Sequence, residues 1–186
     1  MMSKIDTNNW GEFLIKDIFE TIHSGNGLQV PTGATVPKKL LNDGKVPRVT
    51  VSNFNNGITG YYSDIDDPNY RVYENFISVS FLGTVFYHKQ RASLDMKVHC
   101  LKPVDILLNE NIAIFLVSVI RKTISNFMYS DQLSSSILPN LSIKLPVNSD
   151  YDPDWQYMDT YIAEIVCEVE ETINALNAVV SQDIKI

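Results

Sequence analysis

The segment from Asp152 to the end of the chain constrains the fold more than any other feature of the sequence. Its apolar residues recur at alternating intervals of four and three positions, the repeat of an α-helix with one continuous apolar seam. Asp152 and Pro153 are residues typical of a helix N-cap and of the first helical position. The seam consists of Met158, Ile162, Ile165, Val169, Thr172, Leu176 and Val179, with Ile173 and Val180 beside it.

A helix of about 28 residues is about 40 Å long, which is more than a domain of this size easily covers. The face opposite the seam carries Glu164, Glu168, Glu170 and Glu171, so only one side of the helix is apolar. The seam either packs on the chain's own domain or receives a second helix, and the length favours the second interpretation. We therefore expect a globular domain over residues 1–150 and a dimerisation helix of coiled-coil type over residues 151–186.

The composition is that of a folded protein with a core. Of the 186 residues, 45% are hydrophobic and 10% are aromatic, which argues against disorder. No run of 18 apolar residues occurs, and the polar N-terminus lacks the apolar stretch of a signal peptide. The two cysteines, Cys100 and Cys167, are far apart in the sequence. These features predict a cytoplasmic protein with free thiols and no membrane contact.

The net charge of −7 is unevenly distributed. Nine of the 22 acidic residues and one of the 15 basic residues lie from Asp150 onward, so this tail carries −8 and residues 1–149 carry +1. Such asymmetry permits an anionic partner on one face of the main domain. Two basic clusters occur there: Lys38, Lys39, Lys45 and Arg48, and then Lys89, Arg91, Lys97 and Lys102.

Short strands and helical stretches alternate before residue 150. Residues 23–37, rich in Gly, Pro and Thr, predict a loop, whereas VPRVTVS predicts a strand in which Pro47 marks an edge or a start. Asn56-Gly57 is typical of a hairpin turn with positive φ, and two further strands are expected to join through Leu82-Gly83. Residues 111–128 suit a buried helix, capped by Asn109 or Asn111. The pattern predicts a mixed α+β fold with a small twisted sheet and packed helices, followed by the long helix.

Motifs that would indicate catalysis or metal binding are missing from the sequence. It contains no GxxxxGK[ST], GxGxxG, HExxH or CxxC, and no Asp/Asn-Pro-Pro-aromatic motif of adenine methylases. His99 and Cys100 are adjacent in a predicted strand, so their side chains point to opposite faces. A hydrolase that uses His88 or His99 with Asp95 is supported by residue type alone. We therefore predict a binding protein with no catalytic residue, no metal and no cofactor in this chain.

Several stretches, in this order and spacing, resemble one target recognition domain of the specificity (S) subunits of restriction–modification systems. Such subunits occur in type I systems and in related type IIB, BcgI-like systems, and the resemblance extends from Trp10 to the C-terminal helix. The stretches are PRVTVSNFNNGITGYY, YENFISVSFLGTVFYHKQ, KVHCLKP, a long apolar helix, SIKLPV and DPDWQYMDTYI.

The resemblance implies a mixed α/β globule followed by a long helix, which reads one half of a split site in double-stranded DNA. It also implies partners that do the chemistry: modification (methylase) subunits that bind S-adenosylmethionine and methylate adenine at N6, and a restriction subunit where one is present. A full S subunit has two domains and two antiparallel helices, whereas this sequence has one of each. It is either a half-length subunit or part of a longer one. Two half-length copies would form a homodimer through the C-terminal helix and read a palindromic split site.

The resemblance also points to residues that would contact DNA. Arg reads guanine, Asn reads adenine, and Ser or Thr reads several bases. Asn55-Asn56-Gly57 would also form a turn without DNA, and His88 is as consistent with an ordinary surface position. The candidates for base contact are Arg48, Thr50, Ser52, Asn53, Asn55, Asn56, Tyr61 and Tyr62, with His88 beside them. The candidates for phosphate are Lys38, Lys39, Lys45, Lys89 and Arg91.

A second interpretation is a protein- or carbohydrate-binding module with a coiled-coil dimerisation tail. Aromatic side chains stack on sugar rings, and the sequence offers several tyrosines for this. They are Tyr61, Tyr62, Tyr70, Tyr73 and Tyr87. Binding of a neutral sugar would be insensitive to salt, whereas phosphate contacts make affinity fall steeply with salt.

Overall fold

A computed structural model describes residues 5–25, 27–125 and 133–183, without the side chains of residues 181–183. The α-helices in these ranges are α1 (Ile15–Ile18), α2 (Glu110–Ser125) and α3 (Trp155–Asp183). The strands are β1 (Gly11–Leu14), β2 (Ile22–Ser24), β3 (Gly27–Gln29), β4 (Asp43–Val49), β5 (Ile58–Tyr62), β6 (Val72–Tyr73), β7 (Phe76–Ser80), β8 (Val85–His88), β9 (Ala92–Leu94), β10 (Val98–Leu101) and β11 (Ser142–Leu145).

The described strands form small sheets rather than one large one. Four strands lie in the order β5-β4-β9-β6 and three in the order β10-β7-β8, while β1 pairs with β11 and β2 with β3. All pairings are antiparallel except that of β4 with β9. The predicted mixed α+β fold with a long C-terminal helix is confirmed. No helix in the described ranges is long and apolar enough to cross a membrane.

The main core lies where α2 packs between the β7–β8 hairpin, β11 and the first turns of α3. Leu116, Ile120 and Ile124 of α2 follow one another at helical spacing and are fully buried. Burial of each such side chain stabilises the fold by about 1.5–3 kcal/mol. The side-chain amide of Asn111 donates to the Asp159 carboxylate over 2.8 Å, which adds a polar tie between α2 and α3.

A smaller core joins the four-stranded sheet to the three-stranded one. Phe76, Leu94 and Cys100 are fully buried in it, with Val49 and Val98 packed beside them. Since Val49 belongs to β4 and Leu94 to β9, this cluster fixes the sheet that carries the β4–β5 hairpin. The hairpin therefore rests on packed side chains on its inner face.

The predicted boundaries are corrected at several places. The N-cap of α3 is Asp154, whose carboxylate accepts a hydrogen bond from the Tyr157 N–H over 2.9 Å, so the cap is not Asp152. For α2, Asn109 is the cap, since its side-chain oxygen accepts from the Ile112 N–H over 2.9 Å. The predicted loop 23–37 includes parts of the β2–β3 hairpin, and the predicted helical residues 126–128 lie outside the described ranges.

β4 is an interior strand, with β5 on one side and β9 on the other. Its parallel pairing with β9 begins at Arg48, opposite Ser93, so Pro47 stands just before the stretch that has two neighbours. Proline has no N–H to donate to a neighbouring strand. A residue with a strand on one side only needs this donor less than a residue with strands on both sides does. Pro47 thus marks where β4 enters the interior of the sheet.

Arg48 was expected to read a base, and the structure contradicts this. The side chain is 4% exposed, and its Nη2 donates to Asp95 Oδ1 over 2.8 Å and to the carbonyl oxygen of Ala34 over 3.1 Å. A buried guanidinium bonded to a carboxylate and a carbonyl is part of the scaffold. The pair joins β4 to the turn after β9 and to the loop around Ala34.

His88 was a second candidate for DNA contact, and the structure contradicts this as well. The ring is buried, stacks on Phe76 with centroids 5.0 Å apart, and its Nε2 shares a hydrogen bond of 2.9 Å with the Ser78 hydroxyl. Burial lowers the pKa of His88 to about 4, so the ring is neutral at pH 7. Burial also lowers the pKa of His99, which lies in β10.

Replacing Asp95 with alanine would leave the Arg48 guanidinium buried without its carboxylate. We expect Asp95→Ala to lower the free energy of unfolding by about 3 kcal/mol, measured by urea denaturation. Adding Arg48→Met should restore part of this loss because it removes the uncompensated charge.

The matched control is Asp64→Ala, which removes a comparably short ion pair, 2.7 Å to Arg91, between side chains that are at least half exposed. This control should cost less than about 1 kcal/mol. Equal costs for the Asp95 and Asp64 substitutions would show that the Arg48 pair is not structural.

The buried imidazole of His88 also predicts a pH dependence of stability. The pKa of histidine is about 6.5 in an unfolded chain, above that of His88 in the fold, so the unfolded state binds the proton more tightly. The His88 contribution to stability is therefore complete above about pH 6.5 and is lost as the pH falls toward 4, by about 2 kcal/mol at pH 5. His88→Gln keeps a partner for Ser78 but removes this titration. Urea unfolding between pH 7.5 and 5 should give a flatter profile for this variant, and an unchanged slope would contradict the assignment.

Candidate nucleic-acid interface

The loop that connects β4 to β5 is the polar tip predicted from the sequence. Asn55, Asn56 and Gly57 all have positive φ, at 47°, 52° and 79°. Asparagine and glycine tolerate this left-handed region better than other residues. The predicted Asn-Gly hairpin turn is therefore confirmed, although the connection is longer than a two-residue turn because the strands separate after Val49 and rejoin at Ile58.

Backbone hydrogen bonds hold this loop in one conformation. The Thr50 N–H donates to the Gly57 carbonyl over 2.9 Å, and the Gly57 N–H donates to the Phe54 carbonyl over 2.8 Å. The Ser52 hydroxyl accepts from the Phe54 N–H over 3.2 Å. Gly57 is buried, and a Cβ there would lie only 3.1 Å from a methyl group of Val49, so the base of the loop fits closely on the sheet.

The exposed side chains of this loop fall into two groups. The Asn55 amide donates to the Ile58 carbonyl over 3.2 Å and helps to shape the turn. Asn53 and Asn56 are exposed, and their side chains have no hydrogen-bond partner within the described ranges. Phe54 stands between these asparagines and is 83% exposed. No predicted contact fell on Phe54, although an aromatic residue flanked by asparagines was a visible signal.

Three further predicted contacts lie at the other end of the hairpin. Tyr61 and Tyr62 pair with Pro47 and Val46, and Lys45 precedes these residues on β4. Since Ile58 and Tyr62 are four residues apart on one strand, the two ends are separated by about 13 Å. Tyr61 is half exposed, and Lys45 is exposed. The hairpin therefore presents amides at its closed end and an aromatic and basic group at its open end.

Lys38 and Lys39 lie in a 3-10 turn just before β4 and are exposed. Neither they nor Lys45 form an ion pair within the described ranges. The two other predicted phosphate contacts are engaged at the surface. The Lys89 ammonium lies 3.0 Å from Glu110, which raises the pKa of Lys89, and Arg91 donates two hydrogen bonds to Asp64.

The tyrosines of the carbohydrate-binding interpretation do not form one platform. The Tyr87 hydroxyl donates to Asn75 over 2.9 Å, and the Tyr73 ring meets Phe76 edge-on with centroids 6.0 Å apart. Burial raises the pKa of Tyr70, Tyr73 and Tyr87. These side chains are committed to packing, which leaves Tyr61 as the more accessible ring of β5.

The seam of α3 is divided between the domain and the surface. Met158 is fully buried in the main core, Ile162 is 8% exposed, and Ile165 is half-buried at the core's edge. Met158 is therefore not available to a second helix. Beyond this point the apolar residues are exposed: Val166 by 42%, Val169 by 45%, Ile173 by 50%, Leu176 by 61%, Val179 by 58% and Val180 by 57%.

An apolar groove of about 740 Å³ lies beside the first turns of α3. Trp10 and Phe115 form part of its wall with their rings 5.5 Å apart, and Tyr161 meets Phe115 edge-on at 6.0 Å. Val119 and Ile165 complete its apolar lining. The groove therefore continues directly into the exposed seam.

Solved structures share this fold. The S subunit of a type I restriction–modification system from M. genitalium matches with a TM-score of 0.62 and 17% identity over 94% of this chain and 43% of that one. The HsdS subunit from Thermoanaerobacter tengcongensis matches with a TM-score of 0.60 and 15% identity over 92% and 41% of the two chains.

A curated relative is similar in sequence as well. The BcgI specificity subunit, from a type II restriction enzyme of Heyndrickxia coagulans, is 27% identical over 172 residues, which cover 89% of this chain and 46% of that protein. The chain thus spans about half the length of the relatives it matches. The family described as "Type I restriction modification DNA specificity domain" matches residues 7–178. With this match over nearly the whole chain, and with a fold shared with S subunits, the protein belongs to the type I restriction–modification DNA specificity domain family.

Proposed function

We propose that this chain recognises DNA by sequence, as the subunit that reads one half of a split site in a restriction–modification system. In this proposal it directs an adenine-N6 methylase subunit, and a restriction subunit where one is present. The observation that carries the proposal is the rigid, amide-rich β4–β5 loop, displayed on a domain of the specificity family. Asparagine amides are the side chains that bond adenine edges in the major groove.

The charge distribution supports DNA contact through the main domain. Lys38, Lys39 and Lys45 lie at the open end of the hairpin, where they are exposed and form no ion pair in the described ranges, while four glutamates lie on α3. Phosphate contacts position a protein on DNA, and base contacts specify the sequence. We infer that the open end binds the backbone and that the closed end, over Ser52–Asn56, reads bases.

We propose that the chain itself is not catalytic. Asp95 is bonded to Arg48, and the His88 and His99 rings are buried and neutral, so these groups do not form the acid–base pair of a hydrolase. Burial also raises the pKa of the Cys100 thiol, which disfavours the nucleophilic thiolate. S-adenosylmethionine would bind the partner methylase.

We propose further that two copies pair through α3 with antiparallel helices, which would place two recognition domains at opposite ends. The exposed half of the seam, from Val166 to Val180, supports a second helix there. Residues 164–171 hold four glutamates, whereas residues 172–182 hold no charge. In a parallel pair the acidic halves of the two helices would lie side by side and repel each other. In an antiparallel pair each acidic half lies beside a neutral half.

The seam pattern also defines a register. Its positions are symmetric about the point between residues 170 and 171, so an antiparallel copy places Ile165 opposite Leu176 and Val169 opposite Thr172. The Thr172 hydroxyl donates to the Glu168 carbonyl within the helix over 2.8 Å, which leaves its methyl group for packing. In the same register Val179 reaches Ile162, where the apolar groove begins.

The phosphate assignment predicts a salt-dependent loss of binding. A DNA sequence is first enriched from a random library with the wild-type chain and its methylase subunit. The double variant Lys39→Ala/Lys45→Ala should bind this DNA more weakly than the wild type does. The slope of log affinity against log salt should become less negative by about 2. The control Lys16→Ala/Lys102→Ala removes the same charge elsewhere and should leave the slope unchanged. If no DNA sequence is enriched even with the methylase, the proposed function is wrong.

The dimer is tested by adding charge to the seam. Val169→Glu/Ile173→Glu should yield a folded monomer in sedimentation, because four glutamates would face one another in each helix pair. Asn174→Glu/Ala178→Glu adds the same charge to the opposite face of α3 and should leave the dimer intact. A monomeric wild type at tens of micromolar would contradict self-pairing and favour a helix from another subunit.

The register is tested by cross-linking in a Cys167→Ser background. A mixture of Ile165→Cys and Leu176→Cys copies should form an intermolecular disulfide on mild oxidation. Leu176→Cys alone should not, since the two copies of residue 176 would lie about 16 Å apart along an antiparallel pair. A strong cross-link by Leu176→Cys alone would instead show parallel helices.

A further inference from the structure

Phe54 is exposed to a degree that its own domain does not explain. At 83%, its exposed fraction exceeds that of every other large hydrophobic side chain in the described ranges. A phenyl group in water gains none of the stabilisation that burial provides. The residues on either side of it in the loop, Ser52, Asn53, Asn55 and Asn56, are all polar, so hydrogen-bonding side chains flank the exposed ring in the sequence.

Hydrogen bonds hold the backbone of the loop on both sides of this ring. Phe54 accepts a hydrogen bond from the Gly57 N–H through its carbonyl and donates one to the Ser52 hydroxyl through its N–H. Both ends of the loop are joined by the bond from Thr50 to Gly57. A loop backbone held in this way loses little conformational entropy on contact with a partner.

The amides beside the ring indicate the chemistry of that partner. Asn53 and Asn56 carry exposed amides with no side-chain partner in the described ranges. In the major groove an A·T pair presents an adenine edge that binds asparagine and a thymine C5-methyl group that binds apolar side chains, phenylalanine included. An amide and a phenyl group on adjacent residues match both halves of one such pair.

We propose that the Asn53–Asn56 loop reads an A·T base pair, with the Phe54 ring against the thymine methyl group and a flanking asparagine amide on adenine. This rests on the proposed DNA-recognition function. The recognised half-site must then contain a thymine whose methyl group contributes to affinity.

The test uses the full chain with its methylase subunit and the DNA sequence enriched above. Each thymine of one half-site is replaced in turn by deoxyuracil, which removes the methyl group alone. One replacement should weaken wild-type binding by about 3- to 10-fold. Phe54→Ala should lose a similar factor on thymine DNA and show no further loss at that uracil. Deoxyuracil in the spacer between half-sites is the control DNA and should have no effect.

Several outcomes would overturn this inference. Wild-type binding that is insensitive to every uracil would do so, as would a Phe54→Ala variant as sensitive to uracil as the wild type. Phe54-dependent fluorescence from 2-aminopurine in the half-site, without a uracil effect, would show a wedge between base pairs instead. Because Phe54 is exposed, its alanine variant should keep the wild-type unfolding midpoint, so a binding loss is separable from misfolding. If no DNA sequence is enriched at all, the function fails before this question arises.

Discussion

The ion pair between the buried Arg48 and the partly exposed Asp95 holds the hairpin on which the candidate interface depends. Asp95 uses its carboxylate for Arg48 and for the Met96 N–H, and its own N–H donates to the Val49 carbonyl over 2.9 Å. The end of β4 is thereby bound to the turn after β9 immediately before the loop departs. A reading loop must keep its side chains within a fraction of an ångström of a productive position. The pair provides that support at the base of the loop, where the guanidinium is almost completely buried.

Polar side chains in this domain divide between those that hold the scaffold and those left for a partner. His88, Ser78 and Arg48 are buried, and each has a hydrogen-bond partner inside the protein. Asn53 and Asn56, in the β4–β5 loop, are exposed, and their side chains have no hydrogen-bond partner in the described ranges. This division is compatible with the proposed DNA contact by an acidic protein. The net charge is set by α3, while the proposed reading loop is neutral and would select by hydrogen bonding and shape.

Much of the fold was predictable because local sequence determined it. The heptad spacing of α3 and the Asn56-Gly57 turn are signals contained within a few residues, and so is the Leu82-Gly83 connection, where Gly83 has φ of 81°. The burial of the Arg48 side chain was not predictable, because it depends on Asp95, a partner 47 residues away, and because arginine is usually exposed. The three-residue strand β9 was likewise too short to show a period, and its parallel pairing with β4 is a long-range contact. The N-cap shifted to Asp154 because Asp152 and Asp154 are equally good caps, and the tertiary bridge between Val147 and Pro153 extends the chain past the first of them.

The exposed half of α3 carries apolar side chains that nothing in the described part of the single chain covers. Residues 166–183 extend beyond the main core as a helix of about 27 Å. Most helical stability in proteins comes from packing of an apolar face rather than from intrinsic helix propensity. Six exposed aliphatic residues follow one side of this stretch, so its helical state and its solubility both favour a second helix. In the proposed dimer, pairing and sequence recognition would be linked, because the helix that covers the seam would also set the distance and orientation of the second reading loop on DNA.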